Sequence, residues 1–313
     1  MLEIEVAQAS GDPPTLVRSL ASYFREWRYQ ANAIIACVLS MYVGWIALAG
    51  SFSLPRPVIS IALAAATTVC MVLAIFLIND AADRDIDKLV HPERPIPRGL
   101  SQWQHIYGAG VGLILIALAC ATFLSSRFLA AVALQATLVI FYYSYLKRFF
   151  PLPCSSELIA PLISALFPVT AFAVVPEFHG GLLIAVACFI YSSDMAQDLL
   201  GGIHDETGDR RYHVRTFAVA LGSDITRWIS ATAFIVSVGA GVAVFVFGAL
   251  GWIYLVTFSA FSLVMLRQYL RVLLADRDTL PTAAGRANHL GGAYYFVVSA
   301  SILPDLLLRQ WLA

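Results

Sequence analysis

Charged residues are scarce in this chain of 313 residues, and the acidic and basic ones cancel to a net charge of zero. Only 13% of the residues are charged, 59% are hydrophobic, and the mean hydropathy is +0.77. This balance excludes a soluble globular domain, in which about 25% of the residues are charged. Without a basic tail or a net positive charge, nucleic acid is not expected as a partner. Most of the chain is therefore predicted to lie in a lipid bilayer.

Metal-binding cysteine patterns and nucleotide-binding loops are also missing. The five cysteines are scattered, and no CxxC or Cys/His spacing predicts a zinc site or a disulfide framework. Neither GxxxxGKS/T nor GxGxxG occurs, so a loop that binds ATP or a dinucleotide is not expected. The sequence also has no low-complexity linker, which favours a single domain.

Nine apolar runs are long enough to cross the hydrocarbon core as helices, which requires about 20 residues each. Their approximate bounds are 32–52, 57–78, 105–126, 128–146, 157–176, 180–201, 228–248, 250–270 and 288–308. The strands of a membrane barrel would alternate apolar and polar residues, and these runs do not. The sequence thus predicts an all-α polytopic membrane protein with nine transmembrane helices around a central cavity.

The orientation follows from the basic residues. All but three of the 20 Lys and Arg residues lie before the first run or in the even-numbered connections; the exceptions are Arg56, Arg127 and Arg309. The positive-inside rule places the N terminus and those connections in the cytoplasm, so the cavity is expected to open near the cytoplasmic side.

The first 28 residues are polar and are predicted to form a cytoplasmic or interfacial segment, with no cleavable signal peptide. Tyr23, Phe24 and Trp27 are expected to dip into the membrane interface there. Residues 29–313 would then form the single transmembrane domain.

Two sets of oxygen-bearing side chains follow the second and sixth runs. The first set is Asn79, Asp83 and Asp87, and the second is Asp198, Asp205 and Asp209. Within each set the spacing puts the side chains on one helical face, although Gly201 and Gly202 are expected to bend or interrupt the second helix. Both sets are predicted on the cytoplasmic side, where a bundle can bring them face to face. Carboxylates stacked in this way repel each other, so oxygen-binding divalent cations such as Mg²⁺ are expected between them.

We expect different roles for three other acidic residues. Asp80 and Asp85 lie off the first face and are predicted to be solvated charges that anchor the helix end. Asp194 lies well inside the sixth run, where a carboxylate is costly and tends to face a cavity or a partner.

Basic residues follow each acidic set, and this combination is typical of sites that hold a phosphate chain. They include Arg94 and Arg98 after the first set, Arg210, Arg211 and Arg215 after the second, and Lys147 and Arg148 between them. Because no nucleotide loop is present, a lipid diphosphate is the favoured ligand over ATP.

These motifs together resemble those of the UbiA-type intramembrane prenyltransferases. The family's NDxxDxxxD motif is matched at 79–87, its RPIPRG-like loop at 94–99 and its DxxxD motif at 205–209. Tyr143 and Lys147 match its YxxxK element. The sequence departs from the common pattern at Asp198, where many members carry Glu or Asn, and at Gln197, where a basic residue is common. The resemblance covers nearly the whole chain beyond residue 20 and makes 29–313 a UbiA-like prenyltransferase domain.

The resemblance implies transfer of a prenyl group from an isoprenoid diphosphate to a small aromatic acceptor in a bacterial-type cell membrane, with release of diphosphate. It implies two Mg²⁺ ions, one held by Asn79, Asp83 and Asp87 and the other by Asp205 and Asp209 with Asp198. It further implies that the diphosphate is bound by Arg98, Lys147, Arg215 and Tyr143. Asp194 or Asp198 is expected to act as the base, and no protein partner is implied.

Two other functions remain open from the sequence. A terpene cyclase on the same scaffold would use the same diphosphate machinery but let the cation react with its own double bonds. A cation transporter would use the carboxylates as an ion path, although these cluster at the cytoplasmic ends and transport sites usually lie near the midplane.

Overall fold

The computed structural model describes residues 13–50, 58–146, 154–211 and 213–312, apart from the side chains of residues 27–34, 89 and 90. Within these ranges the protein forms α-helices and one π-helical turn, and no strand. The helices are α1 Leu16–Ala49, α2 Val58–Val90, α3 Trp103–Ala121, α4 Ser126–Phe141, α5 Ser156–Ala173, α6 Gly180–Arg211, α7 Phe217–Leu221, α8 Ser223–Phe247, α9 Trp252–Leu274, α10 Leu280–Ala300 and α11 Ile302–Leu312. The predicted all-α fold is confirmed.

Eight helical stretches in the described ranges are long and apolar enough to cross a membrane, and they match the second to ninth predicted runs. The last stretch, Leu280–Leu312, consists of α10 and α11 together. The first predicted run overlaps Ile35–Ala49, a shorter apolar stretch within α1. The protein is therefore an integral multi-pass membrane protein, close to the predicted bundle of nine helices.

Helix α6 lies at the centre of the bundle, where it packs against α5, α8 and α10. Contrary to expectation, Gly201 and Gly202 do not interrupt it, and α6 continues to Arg211. Their missing side chains instead allow close packing: a Cβ on Gly201 would lie 3.2 Å from Nδ2 of Asn288. The unbroken helix therefore carries all three residues of the second acidic set.

Helices α2 and α3 form another closely packed pair. At their contact, a Cβ on Gly110 would lie 2.7 Å from Cγ1 of Ile78 and 3.3 Å from the carbonyl oxygen of Ala74. Only glycine permits this approach, since every other residue would place a carbon there. The pairing supports the long extension of α2 to Val90, which carries the first acidic set.

The described part of the N-terminal segment is mostly helical, and its predicted cytoplasmic or interfacial position stays a prediction. Helix α1 begins at Leu16 behind the N-cap Thr15 and runs without a break through residue 28. The Tyr23 ring does not extend into the membrane interface as expected, because it is only 1% exposed and packs against Leu77 and Ile106. Phe24 is exposed. The side chain of Trp27 lies outside the described residues.

A π-helical turn, Tyr142–Leu146, follows α4. Such turns insert an extra residue into a helix and are frequent at functional sites. Here Tyr142 and Tyr143 are both buried, with ring centroids 4.8 Å apart in an edge-to-face arrangement. The turn therefore directs two consecutive tyrosines into the bundle.

Candidate active site

The two acidic sets lie on the wall of one polar cavity of about 530 Å³. Its lining includes all six predicted metal ligands: Asn79, Asp83, Asp87, Asp198, Asp205 and Asp209. The extension of α2 supplies the first three, and α6 supplies the others. The structure thus brings together two helical faces that are more than 100 residues apart in the sequence.

The donor set of this cavity suits Mg²⁺. Among the described residues, no group of three or more His, Cys, Asp or Glu side chains converges as a complete ligand set. Mg²⁺ does not need one, because it usually keeps several waters and binds through one or two carboxylates together with substrate phosphates. The oxygen-bearing side chains of the two acidic faces, in one cavity of about 530 Å³, fit this mode of binding.

Glu157 is a buried carboxylate in the same cavity that the sequence motifs did not reveal. It lies at the start of α5 and is 1% exposed. Its Oε1 accepts a hydrogen bond from the backbone N–H of Phe217 at 2.9 Å, and its Oε2 accepts one from Ser156 at 2.6 Å. Glu157 therefore ties α5 to the first turn of α7, directly after the second acidic set. No local spacing marks it, because its partners come from distant parts of the chain.

A guanidinium bridges two carboxylates at the end of α2. Nη1 of Arg94 lies 2.9 Å from Oδ2 of Asp87 and 3.5 Å from Oδ1 of Asp80. Asp80 also accepts a hydrogen bond from the Tyr23 hydroxyl at 2.5 Å. Burial and the Asp80 charge raise the pKa of Tyr23, so its phenol keeps the proton that it donates.

The prediction that Asp80 is a solvated helix-end charge is wrong, because Asp80 is only 5% exposed and has these two partners. Asp85 does match that description. It is exposed and forms surface ion pairs with Lys88 and Arg84.

An inner, mainly apolar cavity of about 310 Å³ adjoins the polar one. Its apolar lining includes Val38, Met41, Trp45, Val72, Ile75, Phe76, Ile163, Phe167, Ile190 and Phe296. Four residues line both cavities: Tyr143, Ala160, Gln197 and Asp198. These four residues form a common wall at which the two cavities meet. The metal-ligand candidates line the cavity on one side of it, and mainly apolar side chains line the cavity on the other.

A few polar groups are buried in this inner cavity. Asp194 lines it together with Ser164 and Tyr295. Among the described residues, Nε1 of Trp45 and Oε1 of Gln197 are buried without a hydrogen-bond partner. Buried polar atoms usually have partners, so these two mark places where a polar group of a ligand can bind.

The sequence pattern of the UbiA prenyltransferase family matches residues 32–303, which is most of the chain. The chain belongs to the UbiA prenyltransferase family. As a family member it is a membrane-embedded prenyltransferase.

Two archaeal relatives of this UbiA family member are digeranylgeranylglyceryl phosphate synthases. The one from Natronomonas pharaonis is 30% identical over 243 residues, which cover 77% of this chain and 82% of the relative. The one from Halobacterium salinarum strain R1 is 30% identical over 231 residues, which cover 72% and 80%. The expected bacterial-type membrane stays a prediction.

Solved structures of UbiA homologues share the fold. The apo homologue from Aeropyrum pernix K1 aligns with a TM-score of 0.70 at 19% identity and covers 88% of this chain and 98% of that one. The Archaeoglobus fulgidus homologue bound to DMAPP and Mg²⁺ aligns with a TM-score of 0.58 at 18% identity, with the same coverage of both chains.

The residues predicted to bind the diphosphate in this UbiA family member do not all lie in the cavities. Tyr143 lines both cavities. Arg98 is exposed and pairs with Glu26 at 3.4 Å, and Arg215 is exposed, with its carbonyl oxygen accepting a hydrogen bond from the N–H of Cys154. Lys147 lies outside the described residues. The structure instead places Arg94 in the polar cavity, and diphosphate binding by Arg98, Lys147 and Arg215 stays a prediction.

Proposed function

We propose that this enzyme transfers a prenyl group from a prenyl diphosphate to a hydroxyl group of a glyceryl phosphate, with Mg²⁺ as cofactor. The observation that carries the proposal is the common wall of the two cavities. The polar cavity suits a metal-bound diphosphate, and the inner cavity suits the attached hydrocarbon chain. A substrate that spans the wall would hold its scissile C–O bond beside Tyr143 and Asp198.

The choice of acceptor follows the relatives. Their name describes a glyceryl phosphate that carries two geranylgeranyl groups. The aromatic acceptor implied by the sequence motifs has no support among these relatives, and we therefore infer a glycerol hydroxyl in its place. The family match also favours catalysis over cation transport.

We assign the metal to both acidic faces. Asn79, Asp83 and Asp87 would hold one ion, and Asp205 and Asp209 with Asp198 the second. Bound Mg²⁺ supplies positive charge that stabilises the departing diphosphate. Asp83 on α2 and Asp205 on α6 line the same cavity, so the two ions would be held from two different helices.

The reaction balances without any further reagent. The allylic C–O bond breaks, and its electron pair leaves with the diphosphate. The acceptor oxygen forms a new C–O bond to the same carbon, and its proton passes to a carboxylate. Asp194 and Asp198 both line the inner cavity, and we propose either of them as the group that takes that proton. The dry lining limits attack of water on the allylic cation.

The arrangement in the membrane follows the basic residues. Because nearly all of them lie on one side of the bundle, we place the N terminus and the polar cavity in the cytoplasm. A soluble diphosphate released from the site would then leave directly into the cytoplasm.

One assay separates the possible reactions. The purified enzyme, reconstituted in lipid vesicles, is incubated with geranylgeranyl diphosphate, with and without Mg²⁺, in three arms: geranylgeranylglyceryl phosphate, a phenolic acceptor, and no acceptor. Mass spectrometry of the lipid extract should show an ether product only in the first arm and only with Mg²⁺. A terpene hydrocarbon in the third arm would indicate a cyclase, and a prenylated phenol would restore the aromatic acceptor. No consumption of diphosphate in any arm would overturn the proposed function.

A further inference from the structure

A buried chain of polar contacts connects the N-terminal turns of α1 to the first acidic face. It runs from the Tyr23 hydroxyl to Asp80, from Asp80 to Arg94, and from Arg94 to Asp87. Tyr23 comes from α1, the two aspartates from α2, and the arginine from the loop that follows α2. Three separate segments therefore meet at one edge of the polar cavity.

The burial of Asp80 needs a reason beyond anchoring a helix end. Removing a carboxylate from water is costly unless it is paired and hydrogen-bonded, and a helix end can be anchored by an exposed charge, as Asp85 shows. Asp80 is 5% exposed, and both of its carboxylate oxygens have partners. Oδ2 accepts a hydrogen bond from the Tyr23 hydroxyl, and Oδ1 forms an ion pair with Arg94. The role of Asp80 therefore lies in its contacts with Tyr23 and Arg94.

Charge balance shows what Asp80 does for its neighbours. Arg94 carries one positive charge and lies between two carboxylates, so Asp80, Arg94 and Asp87 together keep one negative charge. Without Asp80, the ion pair of Arg94 with Asp87 would be neutral, and Asp83 would be the next carboxylate to act on the guanidinium. Such a pair would compete with a cation for Asp87, since metal ligands must offer their negative charge to the ion.

The geometry of Arg94 also leaves part of its guanidinium available to a ligand. Both of its ion pairs use Nη1, and the residue lines the polar cavity. Within the described residues, Nε and Nη2 make no hydrogen bond or ion pair, so the planar guanidinium keeps donors for a phosphate oxygen. A guanidinium held at one nitrogen by two carboxylates is fixed in position before the substrate arrives.

We propose that Tyr23 and Asp80 are positioning residues that hold Arg94 toward the diphosphate and keep Asp87 available to the metal. The inference rests on the proposed function. It makes the N-terminal turns of α1 part of the diphosphate and metal machinery.

The variants that test this are Tyr23→Phe, Asp80→Asn and Arg94→Gln, with Ser19→Ala as the matched control. Ser19 lies one turn before Tyr23 and forms hydrogen bonds with Ser101 and Gln102, just before α3, and with His105 in the first turn of α3. Ser19→Ala loosens that attachment without touching the Tyr23 chain. Tyr23→Phe keeps the ring packing and removes only the hydroxyl, so it tests the idea even if Asp80→Asn folds poorly.

Two readouts separate positioning from simple stability. The first is binding of geranylgeranyl thiolodiphosphate, a non-reacting analogue, measured over a Mg²⁺ titration; the second is the split between KM for the diphosphate and kcat. We expect Asp80→Asn to weaken analogue binding and raise the half-saturating Mg²⁺ concentration roughly tenfold, and Tyr23→Phe to have a several-fold effect in the same direction. In the Arg94→Gln background, Asp80→Asn should add little, because the two residues act through one contact.

Clear outcomes overturn the inference. If Asp80→Asn and Tyr23→Phe bind the analogue and Mg²⁺ like the wild type, or if Ser19→Ala shows the same loss, the pair has no positioning role. Full additivity of Asp80→Asn and Arg94→Gln would also contradict it. If the wild-type enzyme itself does not bind the analogue with Mg²⁺, the proposed function fails together with the inference.

Discussion

Gly202 lies so close to Glu157 that a Cβ on the glycine would be 3.3 Å from Oε1 of the carboxylate and 3.5 Å from Cβ of Thr216. The contact joins α6, between the two parts of the second acidic face, to the residue that holds the start of α7. The absence of one carbon therefore allows two buried elements of the site to meet.

Replacing this glycine should disturb the site. In Gly202→Ala the new methyl group must push Glu157 away from the N–H of Phe217, so we expect a lower unfolding temperature and a several-fold loss of kcat/KM. Gly239→Ala is the control, since a Cβ there meets nothing within 4 Å in the described structure. In a helix that change should leave stability unchanged or raise it by about 0.4–1 kcal/mol. Equal behaviour of the two variants would show that the contact is unimportant.

The metal assignment predicts that each acidic face is indispensable. Asp83→Ala and Asp205→Ala should each lower turnover by about a thousandfold or more, because each removes a ligand of an ion worth several kcal/mol to the transition state. Excess EDTA should do the same to the wild type, with recovery on addition of Mg²⁺. Asp85→Ala is the control, since among the described residues this exposed side chain forms surface ion pairs with Arg84 and Lys88. Retained activity in Asp83→Ala or Asp205→Ala, with folded protein, would refute the two-metal assignment.

The inner cavity should limit the length of the prenyl chain. Val72 is buried on α2 and lines this cavity, so Val72→Phe would fill part of the space left for hydrocarbon. We expect the preference to shift from geranylgeranyl toward farnesyl and geranyl diphosphate, measured by competition between the three substrates. Val242→Phe, on the exposed surface of α8, should leave the preference unchanged. An unaltered preference in Val72→Phe would place the chain elsewhere.

Asp305 provides a stability test that is separate from catalysis. It is 1% exposed on α11, and its carboxylate accepts hydrogen bonds from the backbone N–H groups of Gly251, Ile253 and Tyr254 at the start of α9. Asp305→Ala leaves these donors unsatisfied and should cost about 1–2 kcal/mol of stability, as loss of a helix cap does. KM and kcat of the remaining folded enzyme should be unchanged. An unfolding temperature equal to that of the wild type would contradict this role.

The sequence predicted the features that depend on local periodicity. Apolar runs of membrane-spanning length located the helices, and fourfold spacing placed Asn79, Asp83 and Asp87 on one face. The structure also brings the second acidic face to the same cavity. The apolar runs and the spacing within each acidic set are signals within a single helix, where 3.6 residues per turn determine the geometry.

The features that the sequence did not reveal depend on contacts between distant segments. Asp80 looked like a solvated charge because its partner Tyr23 lies 57 residues away. Glu157 carries no motif, since its role comes from Phe217, 60 residues later. The glycines of α6 suggested a break because their propensity is low, whereas tertiary packing keeps the helix continuous. The acceptor could not be inferred from the metal motifs, which describe only the diphosphate.

The common wall of the two cavities also bears on how much substrate the enzyme would lose to reaction with water. Under the proposed function, a prenyl cation formed beside Tyr143, Ala160, Gln197 and Asp198 would have the inner cavity on one side and the polar cavity on the other. It can be captured by the acceptor or by a water molecule that crosses the wall, and the second event wastes the substrate as free prenyl alcohol. The ratio of alcohol to ether product is therefore a direct measure of how tightly these four side chains close around the reacting carbon.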